Sequence, residues 1–211
     1  LVFVMGTAYA QTTTENYIKS TTYLESTTAN GIAAAKQESI TYYDGLGRPK
    51  QNVAVGVTPG GKDLVIPVTY DAMGRQDKDY LPYPTADASG TYRPSAVEDV
   101  LAYYDTPEFD NTPNPYTQRI YEDSPLNRVL EVGAPGADWQ ADPNVDSDHT
   151  VKTTYDTNTP DDLVRLFTVD FTNENTQQPV LVDEGVYMPG QLYKTLNRDE
   201  NWGSNYYNGE H

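Results

Sequence analysis

The chain has 211 residues, with 31 acidic side chains against 14 basic ones and a formal net charge of −17. So acidic a chain repels phosphate backbones, which excludes nucleic-acid binding as its business. Cysteine is absent and histidine occurs twice, so disulfide frameworks, thiolate zinc sites, cysteine nucleophiles and most histidine chemistry are excluded as well.

Residues 1–10 are apolar and then small, and Ala8-Tyr9-Ala10 fits an A-x-A cleavage site. They read as the tail of a signal peptide, which implies export to the cell surface or beyond, and the domain proper is expected over 11–202. Ten residues are too few to span a bilayer, and no later stretch approaches that length, so no membrane span is expected.

From there strand signals dominate: short runs rich in Thr, Val and Tyr between clusters of Gly, Pro, Asn and Asp. Strands are expected at 17–24, 37–43, 48–55, 64–70, 75–81, 118–122, 128–132, 151–156, 164–171 and 191–197. The 18 tyrosines supply broad faces to bury while their hydroxyls keep hydrogen bonds, so an all-β core of aromatic and β-branched residues is expected.

Two of the intervening turns are copies of each other. Tyr43-Asp44-Gly45-Leu46-Gly47-Arg48 and Tyr70-Asp71-Ala72-Met73-Gly74-Arg75 share the pattern Y-D-x-x-G-R. Tyr ends a strand, the Asp carboxylate reaches forward to backbone amides, and two permissive residues make a type I turn. Gly47 or Gly74 then takes the left-handed conformation that closes a bulged hairpin, and Arg48 or Arg75 opens the return strand within reach of its own Asp. The clean copies are assigned to 39–55 and 68–81. Between 56 and 62 the sequence also matches G-x-x-x-x-G-K, but Asp63 replaces the magnesium-binding Ser/Thr and a strand follows instead of a helix. It reads as a loop.

One short helix is expected at 96–104, from a Ser95/Glu98 capping box and an apolar stripe of Val97, Val100, Leu101 and Tyr104. A degenerate third hairpin follows at 118–133, where Tyr121, Asn127 and Arg128 take the Tyr, Gly and Arg places with one residue inserted; Asn tolerates the left-handed region better than most residues. Asp142, Asn144, Asp146 and Asp148 alternate oxygen ligands like the start of a calcium loop, yet Ser147 and Thr153 stand where Gly and Glu belong. An acidic solvated loop is the main reading, and calcium the alternative. His149 has no second soft ligand nearby in sequence, so no zinc site is expected. Further degenerate hairpins are expected at 151–170 and 186–197, and 203–211 reads as the start of another segment. Trp139 and Trp202 are read as core packing, with a sugar-stacking platform as the alternative. A glycosidase pair cannot be picked from 31 acids.

Isolated hairpins are marginal in water, whereas hairpins joined edge to edge make a stable continuous sheet. The Y-D-x-x-G-R units resemble the YD repeats of RHS (rearrangement hot spot) proteins, large secreted bacterial proteins related in architecture to the teneurin shell. The blocks Glu15-Asn16-Tyr17-Ile18, Tyr42 to Gln51, Ser124 to Glu131 and Gly190 to Lys194 look like the domain of unknown function that precedes the repeats in one RHS subgroup. The resemblance implies antiparallel hairpins wound as a curved, spiral sheet into a hollow shell that often encloses a C-terminal toxin. It implies downstream repeats and that enclosed domain as partners, export from a Gram-negative bacterium, and no catalytic residue or cofactor in this region. The expected role is therefore structural, with a carbohydrate- or surface-partner-binding module as second reading and a hydrolase as third.

Overall fold

The computed structural model describes residues 12, 14–24, 35–145, 148–171 and 179–202, so the signal-peptide reading and the segment 203–211 lie outside the described residues. The fold is all-β and antiparallel with one α-helix. It divides into two compact units, Leu1–Thr150 and Val151–His211.

In the first unit, β1 (Asn16–Tyr23), β2 (Lys36–Tyr43), β3 (Pro49–Val55) and β4 (Leu64–Pro67) pair in sequence order. β5 (Lys78–Tyr80) meets the end of β4 through a single antiparallel bridge, Val68–Asp79. The outer edge of Leu64 and Val65 is taken instead by β6 (Tyr83–Pro84), a two-residue strand too short to show in a sequence pattern. β5 pairs onward with β7 (Tyr116–Tyr121), and β7 with β8 (Val129–Gly133).

Period-two alternation along β2, β3 and β4 places one face of these strands inward, with Tyr83 of β6 beside them. Ile40, Val53, Val65 and Tyr83 are successive cross-strand partners, and all four are buried. Burying each such side chain contributes about 1.5–3 kcal/mol. The helix α1 (Ala96–Tyr104) closes this core with Ala96 and Val100, backed by Val97, Tyr103 and Tyr104. Buried tyrosines keep their hydroxyls bonded: Tyr42 donates to the Gly90 carbonyl at 2.6 Å and Tyr104 to that of Pro82 at 2.8 Å. Burial pushes the Tyr42 and Tyr83 phenols up, the latter strongly, with the Asp99 carboxylate adding to the effect at Tyr83.

The expected Ser95/Glu98 capping box does not form. Ser95 makes no side-chain cap, and its hydroxyl donates instead to Asp99 at 3.0 Å, a carboxylate that also accepts from the Tyr83 hydroxyl at 3.2 Å. A capping box does form at Thr159 and Asp162, where no helix was expected, on a single 3-10 turn.

In the second unit, β9 (Val151–Thr157) pairs with β12 (Tyr193–Arg198), and β10 (Arg165–Asp170) with β11 (Val180–Val186). This corrects the hairpins expected at 151–170 and 186–197: β9 does not pair with β10, nor β11 with β12. A hairpin is nested inside a longer-range pair. Its organiser is the buried Asn158, whose side chain accepts from the Leu192 amide at 2.9 Å and donates to the Met188 carbonyl at 3.0 Å. No helix among the described residues is long and apolar enough to cross a membrane.

Candidate functional site: a ladder of arginine and tyrosine across three turns

The two Y-D-x-x-G-R turns share every bond of their frame. Asp44 Oδ1 accepts from the Leu46 and Arg48 amides, both at 2.9 Å, while its Oδ2 accepts from Arg48 Nε at 2.8 Å. Asp71 Oδ1 accepts from the Met73 and Arg75 amides at 2.9 and 2.8 Å, and its Oδ2 from Arg75 Nε at 2.7 Å. The Asp44 and Asp71 amides donate to the Arg48 and Arg75 carbonyls, each at 2.9 Å. Gly47 and Gly74 each have φ +77°, a region that costs an L side chain strain. One carboxylate thus holds both the turn and the arginine. Both carboxyls sit below the usual aspartate range, chiefly because the Arg48 and Arg75 amides bond the charged form.

The third turn reaches the same result with different atoms. Asn127 occupies the left-handed position with φ +55°. Glu122, one methylene longer than Asp, spans the inserted residue and accepts from Arg128 Nε at 2.8 Å and Nη2 at 2.6 Å. The amide that Asp44 would bond directly is reached through Ser124, whose hydroxyl donates to Glu122 Oε1 at 2.7 Å and accepts from the Leu126 amide at 3.1 Å. The Arg128 side chain first, and Ser124 second, hold the Glu122 carboxyl down at about 2. The register breaks by one residue at the same place in both fully laddered turns, between Tyr42 and Tyr43 and between Ile120 and Tyr121. Glu122 and Ser124 were missed in the sequence; the cue was an acid directly after Tyr121, in the place of Asp44 and Asp71.

The turns are also joined to one another. Continuing the β3–β4 register puts Arg48 opposite Tyr70, and continuing β5–β7 puts Arg75 opposite Tyr121. The Arg48 guanidinium lies over the Tyr70 ring at 4.3 Å, and that of Arg75 over the Tyr121 ring at 4.5 Å. Each ring returns a bond: Tyr70 donates to the Pro49 carbonyl at 2.8 Å and Tyr121 to the Gln76 carbonyl at 3.5 Å, in each case the residue after the stacked arginine. Arg75 Nη1 continues to the Glu122 carbonyl at 3.3 Å and to Asn127 Oδ1 at 3.4 Å. The ladder therefore has a direction, from each turn's arginine to the next turn's tyrosine.

The other candidate residues are placed as follows. Asp142 Oδ1 accepts from the Asn144 amide at 2.9 Å, and Asp148 Oδ2 from the Asp142 amide at 3.0 Å, so these carboxylates cap their own loop. Asp146 lies outside the described residues. Among the described residues no three His, Cys, Asp or Glu side chains converge in a metal-binding group. Trp139, expected in the core, is 40% exposed and packs on the His149 ring, while Trp202 lies under the Arg198 guanidinium. Asp63, the residue that spoils the phosphate-loop pattern, is fully buried and accepts from the Gly56 amide at 3.0 Å and the Gly90 amide at 2.6 Å. It ties the 56–63 loop to the segment before α1.

The family model described as "Domain of unknown function (DUF6443)" matches residues 8–157, which contain all three turns. The chain belongs to the DUF6443 family. No curated protein and no solved structure matches it. In this DUF6443 chain the matched residues run to Thr157, the end of β9.

Proposed function

We propose that this DUF6443 chain is a non-catalytic structural part of a secreted RHS/YD-repeat protein. It contributes antiparallel sheet to the wall or cap of a shell that encloses a C-terminal domain, often a toxin, with the downstream repeats as its neighbours. The single observation that supports this reading most is the ladder. Arg48 on Tyr70 and Arg75 on Tyr121 repeat one contact at two successive junctions, and such contacts bind each hairpin to its sequence neighbour as a repeat architecture requires. The acids in the turns serve the same end, since Asp44, Asp71 and Glu122 are each spent on their own arginine and backbone rather than facing a cleft.

The test is electron microscopy of the complete secreted polypeptide that carries this chain. The expected image is a hollow particle whose wall or cap continues through these turns into further ones. A free domain tethered beside the particle, or a polypeptide without such a particle, overturns the reading. A glycan array with the same protein separates the binding-module reading: a wall retains no glycan.

A further inference from the structure

We propose that Asn16 stands in the place of the turn arginines, and that it ends the ladder by leaving the Tyr43 ring as an unfilled acceptor for an arginine guanidinium. This rests on the ladder reading above. It is carried by two independent observations, one in the backbone and one at the ring.

The backbone observation is a shared bond. The Glu15 amide donates to the Thr12 carbonyl at 3.3 Å, as Gly47 does to Asp44 at 3.1 Å, Gly74 to Asp71 at 2.9 Å and Asn127 to Ser124 at 3.4 Å. Asn16, which opens β1, thus follows this bond as Arg48, Arg75 and Arg128 follow theirs, although Glu15 lacks the positive φ of Gly47, Gly74 and Asn127. The strand register agrees: Asn16 is the direct partner of Tyr43, as Arg48 lies opposite Tyr70 and Arg75 opposite Tyr121.

At the ring the chemistry is missing. An asparagine side chain ends two bonds beyond Cβ and carries no charge, so it neither reaches over the ring nor binds it as a cation. Among the described residues, the half-buried Tyr43 receives no cation on its ring and its hydroxyl has no hydrogen-bond partner, in contrast to Tyr70 and Tyr121. The acid is missing too. Thr12 holds the aspartate place, and its hydroxyl accepts from the Tyr92 amide at 3.0 Å instead of clamping residue 16. Glu15 is paired with Lys50. Residue 16 therefore decides whether the rung forms: arginine there would add one, and asparagine stops the series at Tyr43, leaving β1 held by its backbone pairing, the Lys19–Glu38 ion pair, the Tyr17–Tyr42 ring contact and the Thr21–Glu38 hydrogen bond.

The experiment installs the rung. Asn16→Arg in the full chain is expected to raise the melting temperature by about 2 °C, the size of one exposed cation–π contact in a domain this large. Thr12→Asp with Asn16→Arg, which restores the clamp as well, is expected to raise it further. In a Tyr43→Leu background the gain from Asn16→Arg disappears. No gain in the protein that keeps Tyr43, or an equal gain in the Tyr43→Leu background, overturns the inference. Arg48→Gln and Tyr70→Leu, measured singly and together, serve as the reference rung: additivity there sinks the ladder itself, whereas coupling there with no response to Asn16→Arg sinks this proposal alone.

Discussion

Gly47 and Gly90 show how a single backbone angle carries different costs in different surroundings. A Cβ at Gly47 meets nothing within 4 Å, so Gly47→Val is penalised by its φ of +77° alone. That strain is expected to cost about 1–3 kcal/mol, read as a lowered midpoint in chemical denaturation; an unchanged midpoint would contradict the turn assignment. Gly90 has φ +65°, and a Cβ there would stand 2.7 Å from Ile40 Cδ1 and 3.1 Å from Val55 Cγ2 in the core. Its amide and carbonyl are in addition bonded by the buried side chains of Asp63 and Tyr42. Gly90→Ala combines strain with overpacking, and is expected to destabilise by more than Gly47→Ala in the same measurement. Nothing near position 90 in the sequence announces this, because the atoms that crowd it belong to Ile40 and Val55, on strands far earlier in the chain. The turn glycine was legible for the opposite reason: its partners lie within the turn itself.

Asp99 organises the helix at the scale of one element. The S-x-x-E spacing at Ser95 and Glu98 is a sound local signal, yet the Ser95 hydroxyl bonds Asp99, where the Tyr83 hydroxyl converges as well. Asp99→Ala is therefore expected to cost about 1–2 kcal/mol, while Glu98→Ala is nearly neutral; equal costs would restore the capping box. The nested strands of the second unit show a second local signal overruled. β9 and β10 each have strand character, but pairing choice depends on the register offered by distant segments, here β12 and β11. β11 itself escaped notice because Asp183, Glu184 and Gly185 interrupt its apolar run. Between turns, a double-mutant cycle on Arg48→Gln and Tyr70→Leu is expected to give a coupling of about 0.5–1 kcal/mol, and a cycle that closes at zero would mean the stacked geometry holds nothing.

Charge sets the behaviour of the whole molecule. With a net charge of −17, the few cations are concentrated on structural acids, and the strongest pairings lower the carboxyl pKa. Glu122 is held at about 2 against an ordinary 4.5, chiefly by the Arg128 side chain, and Asp162 at about 2 against 3.8, chiefly by Lys194. Folded values below the unfolded ones mean that both groups stabilise fully above their unfolded pKa and lose that contribution as pH falls toward 2. Denaturation midpoints are expected to hold down to about pH 5 and to decline below it. Ser124→Ala, which removes one bond to the charged Glu122, should flatten that decline, and an identical profile would show the hydroxyl relay to be inert.

The sequence by itself determined the class of the fold, the position of the helix and the two Y-D-x-x-G-R turns, because each is set by interactions within a few residues: alternation along a strand, a carboxylate reaching its own turn, a glycine free to take positive φ. The tertiary structure alone decided that arginine of one turn lies on tyrosine of the next, that Asp63 and Gly90 lock two loops together, and that β9 closes on β12. Those contacts join residues tens of positions apart, and only a register across paired strands brings them within reach.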